Sequence, residues 1–177
     1  LGTLGVNNRK AFFSDTIGHS ALTGIAIGLL CGLADPLWAM VLFSIVLAIA
    51  ISLVKYTVKA STDTIIGVFS AAAVALGIVI LSRGGGFAKY SNYLIGDLLS
   101  ITAQDLTLLG IILAAILALW TLFFNRLLLI SVNPTLALSR GIPVRRLDIF
   151  FCIVLAVVVT VSIQWLGILI INSLLIL

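Results

Sequence analysis

Apolar residues occur in five long runs that are separated by short polar breaks. Each run is long enough to cross the roughly 30 Å hydrocarbon of a bilayer as a helix, which rises about 1.5 Å per residue. Because lipid offers no hydrogen-bonding partner to an open backbone, segments that cross it must be helical. The predicted spans are Ala11–Ala34, Leu37–Val54, Asp63–Leu81, Leu106–Phe124 and a last span from Ile149 onward, interrupted near residues 164–167.

The composition supports a membrane protein. Hydrophobic residues make up 62% of the chain and charged residues 9%, whereas a soluble domain is typically about half apolar and about a quarter charged. The net charge of +4 does not indicate a nucleic-acid partner, because the basic residues stand singly or in pairs between apolar runs. We therefore expect an all-α, polytopic transmembrane bundle of about five spans, with residues 1–177 forming a single domain in the lipid bilayer.

The basic residues predict how the spans are oriented. When the chain is threaded alternately through the bilayer, two positive charges fall on one side, Arg83 and Lys89. The other side receives Arg9, Lys10, Lys55, Lys59, Arg126, Arg140, Arg145 and Arg146. Positive charge is enriched in cytoplasmic loops, so the second side is predicted to face the cytoplasm.

Two connecting loops are predicted to contain short helices. The external loop has a glycine run at 84–86, followed by an amphipathic stretch at 90–99 that predicts an interfacial helix. In the cytoplasmic loop, Asn133 can cap a helix and Pro134 suits its first turn. Gly141 can end that helix. The second loop therefore predicts about two helical turns on the cytoplasmic face.

The first span carries a carboxylate and the chain's single histidine, Asp15 and His19. A spacing of four residues places both side chains on one helical face. An ionisable group within a span costs about 3 kcal/mol, so such groups are functional candidates. This pair could ligate a cation such as zinc, manganese or ferrous iron, form a structural hydrogen-bonded pair, or relay protons.

Asp63 opens the third span at a depth similar to that of Asp15 in the predicted topology. It could supply a third ligand beside Asp15 and His19, or it could cap its own helix after Ser61 and Thr62. The sequence contains no Gly-Lys-Ser/Thr phosphate loop and no catalytic triad motif. We therefore expect a transport subunit rather than an enzyme, with any ATP hydrolysis on a separate chain.

These residues resemble the metal-ion ABC permeases, the membrane subunits of bacterial zinc and manganese importers. The matching segments are Asp15–Gly24, Asp63–Gly67 with Ala75–Gly77, Tyr93–Leu99, Asn133–Ala137 with Gly141, and Gln164–Gly167. Two departures are visible: Asn133 stands where an acidic residue is usual, and the family's first span and C-terminal spans are missing. We therefore expect the chain to be a fragment of a longer permease.

The resemblance implies an importer of divalent metal ions, zinc or manganese and possibly iron, in the inner membrane of a bacterium. Its expected partners are an ATPase subunit, an external metal-binding protein and a second copy of the permease. The cation would be transported cargo, with no permanently bound cofactor. An iron-chelate or vitamin importer on the same architecture stays open, as does a proton-coupled secondary transporter.

The resemblance also assigns roles to individual residues. Asp15, His19 and Asp63 would contact the transported metal. The short cytoplasmic helix would be the coupling helix that docks on the ATPase, through the residues Asn133, Pro134, Leu136, Ala137 and Gly141.

Overall fold

The computed structural model describes residues 11–32, 36–83 and 103–176, and within them every regular element is an α-helix. The helices are α1 Ala11–Leu30, α2 Leu37–Thr57, α3 Thr62–Arg83, α4 Ala103–Val132, α5 Pro134–Ser139 and α6 Val144–Ile176. The predicted all-α bundle is confirmed. The predicted external helix at 90–99 and the glycine run before it lie outside the described residues.

Four of the described helices are long and apolar enough to cross a membrane: α2, α3, residues 109–132 of α4 and residues 144–164 of α6. The helix α1 has 20 residues but is not among the four. Its sequence includes Asp15, His19 and several hydroxyl side chains, which lower its hydropathy. Instead it occupies the middle of the bundle, packed against α2, α3 and α6. The predicted membrane span at Ala11–Ala34 therefore stays a prediction.

Contacts between the helices show their relative directions. Along α1, Gly24 approaches Met40 and Gly28 approaches Pro36 of α2, so the residue numbers run in opposite senses and the two helices are antiparallel. Between α2 and α6, residue 44 pairs with residue 160 and residue 55 with residue 148, which is again antiparallel. The helices α1 and α6 therefore begin at the end of the bundle where α2 ends, and α3 begins there too, since only residues 58–61 separate it from α2.

This arrangement gathers most of the described basic residues at one end of the bundle. They are Lys55, Lys59, Arg126, Arg140, Arg145 and Arg146, whereas Arg83 ends α3 at the opposite end. The distribution agrees, for these residues, with the predicted topology in which the first end faces the cytoplasm.

Small residues allow α1 to lie unusually close to its neighbours. A Cβ added at Gly24 would stand 2.6 Å from the Cα of Met40, and one at Gly28 would stand 2.9 Å from the Cβ of Ala39. On the other side, the Thr23 hydroxyl donates to the backbone carbonyl of Ala73, and Gly77 leaves the space that Thr23 fills. Close approach at small residues, with hydrogen bonds across helices, is how spans associate in lipid.

The last helix is broken where the sequence predicted an interruption. Gly167 has φ 77° and ψ 160°, which is not helical, so the segment comprises two helices that meet at this residue. A positive φ of this kind is readily adopted only by glycine. The prediction of an interruption at residues 164–167 is confirmed.

The glycine contacts of α1 generate a stability prediction. Gly24→Ala should lower the free energy of unfolding by about 1–3 kcal/mol, the usual cost of overpacking, because the new methyl group meets backbone rather than a movable side chain. Thermal unfolding of the detergent-solubilised permease measures this. Gly67→Ala is the matched control, since nothing lies within 4 Å of a Cβ there. Equal melting temperatures for the two variants would contradict the close packing of α1 on α2.

Candidate cation pathway and coupling helix

Asp15 and His19 form a pair on α1, as their spacing predicted. The Nε2 of His19 lies 3.4 Å from the Oδ1 of Asp15. Their side chains are 44% (His19) and 29% (Asp15) exposed, although Thr16, Ile17 and Ser20 on the same turns are fully buried. The pair therefore lies on the one stripe of α1 that α2, α3 and α6 do not cover.

The geometry of the pair suits an imidazole that is oriented by a carboxylate. A carboxylate that bonds to one nitrogen of an imidazole fixes the ring and raises the basicity of its other nitrogen, and a carboxylate can also bind a cation directly. Two ligands are fewer than the four that zinc usually takes. Within residues 11–32, 36–83 and 103–176, no three His, Cys, Asp or Glu side chains are grouped closely enough to hold a metal ion.

Asp63 is exposed in the first turn of α3, and the structure does not bring it together with the pair on α1. The helix is capped by another residue. The Ser61 hydroxyl accepts the Thr64 N–H at 3.1 Å and lies 2.6 Å from the Thr64 hydroxyl. The alternative of Asp63 as the cap is therefore wrong, although its negative charge is favourable at a helix N-terminus.

The predicted cytoplasmic helix is confirmed as α5, with both predicted ends. The side chain of Asn133 accepts the N–H of Leu136 at 3.1 Å, and Pro134 follows in the first turn. At the other end Gly141 has φ 71° and donates its N–H to the carbonyl of Leu138, while Ile142 donates to Ala137. These two bonds are those of a Schellman motif, which ends a helix at a left-handed glycine.

One face of α5 is anchored and the other is open. Ala137 is fully buried in a small apolar cluster with Ile130 of α4 and Leu147 of α6. Leu136 and Leu138, in contrast, are exposed leucines at the surface of the chain. The helix thus joins α4 to α6 while presenting apolar side chains outward, as a docking element would.

The sequence did not indicate a polar cluster that joins the end of α2 to the start of α6. The buried Asp148 carboxylate accepts hydrogen bonds from the Lys55 ammonium at 3.2 Å and from the Tyr56 hydroxyl at 3.0 Å. The Arg145 guanidinium also lies 5.3 Å from the centre of the Tyr56 ring. The only local signal was the carboxylate of Asp148 after two arginines. That pattern suggests an ion pair within α6 rather than a contact with Lys55, which lies 93 positions away.

Comparison with known proteins shows to which protein family the chain belongs. The family model described as the ABC 3 transport family matches residues 1–177. The chain belongs to this family. Membership agrees with the order of motifs along the chain and with a transport subunit rather than an enzyme.

Two proteins similar to this chain have names that state a metal. The chain is 34% identical to the high-affinity zinc uptake system membrane protein ZnuB of Haemophilus influenzae, over 99% of this chain and 67% of that protein. It is 28% identical to the manganese transport system membrane protein MntC of Listeria innocua, over 99% of this chain and 62% of that protein. The chain thus spans about two thirds of the length of these two relatives.

A solved structure has the same fold. PsaBC from Streptococcus pneumoniae, in complex with a Fab, superposes with a TM-score of 0.79 and 28% sequence identity. The alignment covers 99% of this chain and 63% of the chain in that structure. The arrangement of the helices described above is therefore similar to that of the chain in this solved structure.

The capping geometry of α5 generates a second prediction. Asn133→Ala should destabilise the first turn of α5 by about 1 kcal/mol, because it removes the acceptor of the Leu136 N–H. Hydrogen exchange should show the Leu136 amide exchanging about fivefold faster or more, as that free energy implies. The control is Asn125→Ala, an exposed asparagine within α4. Unchanged exchange at Leu136 would show that the side chain of Asn133 does not hold this helix.

Proposed function

We propose that this chain is the membrane-spanning permease part of an ATP-driven importer of divalent metal ions, zinc or manganese, in the inner membrane of a bacterium. The observation that carries the proposal is the Asp15–His19 pair on the uncovered stripe of α1. Support comes from the family and from relatives whose names state zinc or manganese transport.

The exposure of the pair argues against a purely structural role. A structural hydrogen-bonded pair in a membrane protein gains by being buried among its neighbours, since ionisable groups in contact with lipid are costly. The side chain of His19 is instead 44% exposed at the surface of this chain. A polar surface at such a depth needs either water or another protein surface beside it.

A second copy of the permease would provide that surface. If two α1 stripes faced each other across a pathway, two carboxylates and two imidazoles would be available to one cation. Four such ligands match the coordination number of zinc, and the same donor types also suit manganese. The exposed Asp63 would then contact the cation at a separate point, nearer the cytoplasmic end, rather than in the same coordination sphere.

The proposal also includes the other parts of the transporter. The chain is proposed to pair with a separate ATPase, which docks on α5 through the segment that contains Asn133, Pro134, Leu136, Ala137 and Gly141. An external metal-binding protein would deliver the cation, which is cargo and not a resident cofactor. A chelate or vitamin importer and a proton-coupled transporter are not favoured, because the relatives reported above are named for zinc and manganese systems.

Removal of either member of the pair should abolish transport. In the full-length permease assembled with its ATPase, Asp15→Ala or His19→Ala should reduce uptake of zinc and manganese to the level seen without ATP, because the passing cation loses ligands. Uptake into proteoliposomes measures this, with complex assembly checked by size-exclusion chromatography. Thr121→Ala, which changes an exposed polar residue of α4, should leave uptake unchanged.

Normal uptake by both pair variants would remove the site assignment. Uptake that continues without ATP but collapses with an uncoupler would instead favour the proton-coupled alternative. Asp63→Asn tests the separate point of contact. If Asp63 lies on the path of the cation, loss of its negative charge should slow uptake even though Asp63 does not belong to the pair.

The end of α5 provides a further prediction. Gly141→Leu should uncouple ATP hydrolysis from uptake, because a branched side chain is strained at a φ of 71° and the Schellman end of the helix would shift. Gly141→Asn is the matched control, since asparagine tolerates the left-handed region better than other residues with a side chain. Uptake and hydrolysis are measured in the same proteoliposomes. Full ATP-driven uptake by Gly141→Leu would count against a coupling role for α5.

A further inference from the structure

The polar cluster that joins α2 to α6 has no role in the proposed site. Among the described residues, it is the one place where a buried carboxylate accepts hydrogen bonds from two side chains of another helix. Asp148 stands in the second turn of α6, and its donors Lys55 and Tyr56 stand in the last turn of α2. A carboxylate removed from water in this way is stable only while its partners stay in place.

The segment between α5 and Asp148 is short and is held by backbone hydrogen bonds. The Schellman end of α5 closes at Ile142, whose carbonyl accepts the N–H of Val144 at 2.8 Å. The carbonyl of Pro143 then accepts the N–H of Leu147 at 3.1 Å, which is the first turn of α6. No flexible linker separates the two helices, so a displacement of α5 must displace the first turns of α6.

The other side of the cluster leads to α1. The helix α2 ends at Lys55 and Tyr56 and packs along its length on α1, with Gly24 and Gly28 in close contact with it. Interfaces packed this tightly move as bodies rather than deform continuously. A shift of α2 at its cytoplasmic end is therefore carried to the helix that holds Asp15 and His19.

We propose that Asp148, with Lys55 and Tyr56, is a positioning group that transmits movement of α5 through α6 to α2, and so to the cation pair on α1. The inference rests on the proposed function, in which α5 docks on an ATPase. Asp148, Lys55 and Tyr56 do not touch the cation; they fix the position of α2 relative to α6. The Arg145 guanidinium over the Tyr56 ring adds a further contact between the same two helix ends.

The test separates transmission from simple stability. The full-length permease is reconstituted in proteoliposomes with its ATPase and its external binding protein, and metal uptake and ATP hydrolysis are measured together. Asp148→Asn and Lys55→Met should keep ATP hydrolysis but lower uptake per ATP about fivefold or more, the lower end of the range for coupled sites. Tyr56→Phe, which keeps the ring and loses the hydroxyl, should have the same effect more weakly.

Two further variants make the result specific. The double variant Lys55→Asp with Asp148→Lys restores opposite charges and should recover uptake per ATP relative to either single change. Lys59→Met, which removes an exposed lysine one turn further along the chain, should leave the ratio unchanged. If Asp148→Asn fails to assemble, Tyr56→Phe decides the question, since it removes one hydrogen bond to Asp148 and leaves the Lys55 pair and the aromatic ring in place.

Unchanged metal uptake per ATP hydrolysed in Lys55→Met and Tyr56→Phe would overturn the inference. An equal loss of uptake per ATP in Lys59→Met would overturn it as well. A failure of the proposed function looks different: the wild-type complex would hydrolyse ATP and import neither zinc nor manganese. In that case stimulation of ATP hydrolysis by the external binding protein is the readout. The inference then requires that stimulation to fall in Asp148→Asn and Lys55→Met, and unchanged stimulation would overturn it.

Discussion

The arrangement depends on the enclosure of one relatively polar helix by three apolar ones. The helix α1 carries Thr16, Ser20 and Thr23 as buried side chains, and lipid could satisfy none of their hydroxyl groups. They bond instead to backbone carbonyls, of α1 itself for Thr16 and Ser20, and of Ala73 in α3 for Thr23. Gly24 and Gly28 let α2 come close enough to seal another side.

That enclosure also decides which part of α1 stays open. Once α2, α3 and α6 have covered their sides, the stripe that remains includes Asp15 and His19, the ionisable groups of the helix. Hydroxyls can be satisfied by a neighbouring backbone, but an ionisable pair requires water, a counter-charge or a cation. The same packing that encloses the rest of α1 thus leaves this polar surface uncovered.

The end of the bundle that carries most of the described basic residues is held together differently. The Schellman end of α5 leads into α6 without a flexible linker, and Asp148 ties α6 to the end of α2. Removal of one partner from a buried ion pair typically costs about 3–5 kcal/mol, so these helix ends are expected to move together rather than separately. The helix α5 and the Asp15–His19 pair on α1, which are far apart in the chain, are thereby connected through packed helices.

The amino-acid sequence by itself determined what depends on local physics. Lipid forces apolar runs into helices, an asparagine–proline pair starts α5, glycine supplies the positive φ at Gly141 and Gly167, and a spacing of four residues brings Asp15 beside His19. Each of these outcomes needs only neighbours within one or two helical turns. The orientation predicted from the basic residues likewise agrees with their positions on the described helices.

Only the tertiary structure decided which surfaces face one another. It separated Asp63 from the pair on α1, gave the cap of α3 to Ser61, and turned His19 away from the bundle core. It also joined Asp148 to Lys55 and Tyr56, which the chain separates by more than ninety residues. These outcomes depend on how entire helices pack and on how far they are rotated about their axes, and spacing along a single helix carries no information about either.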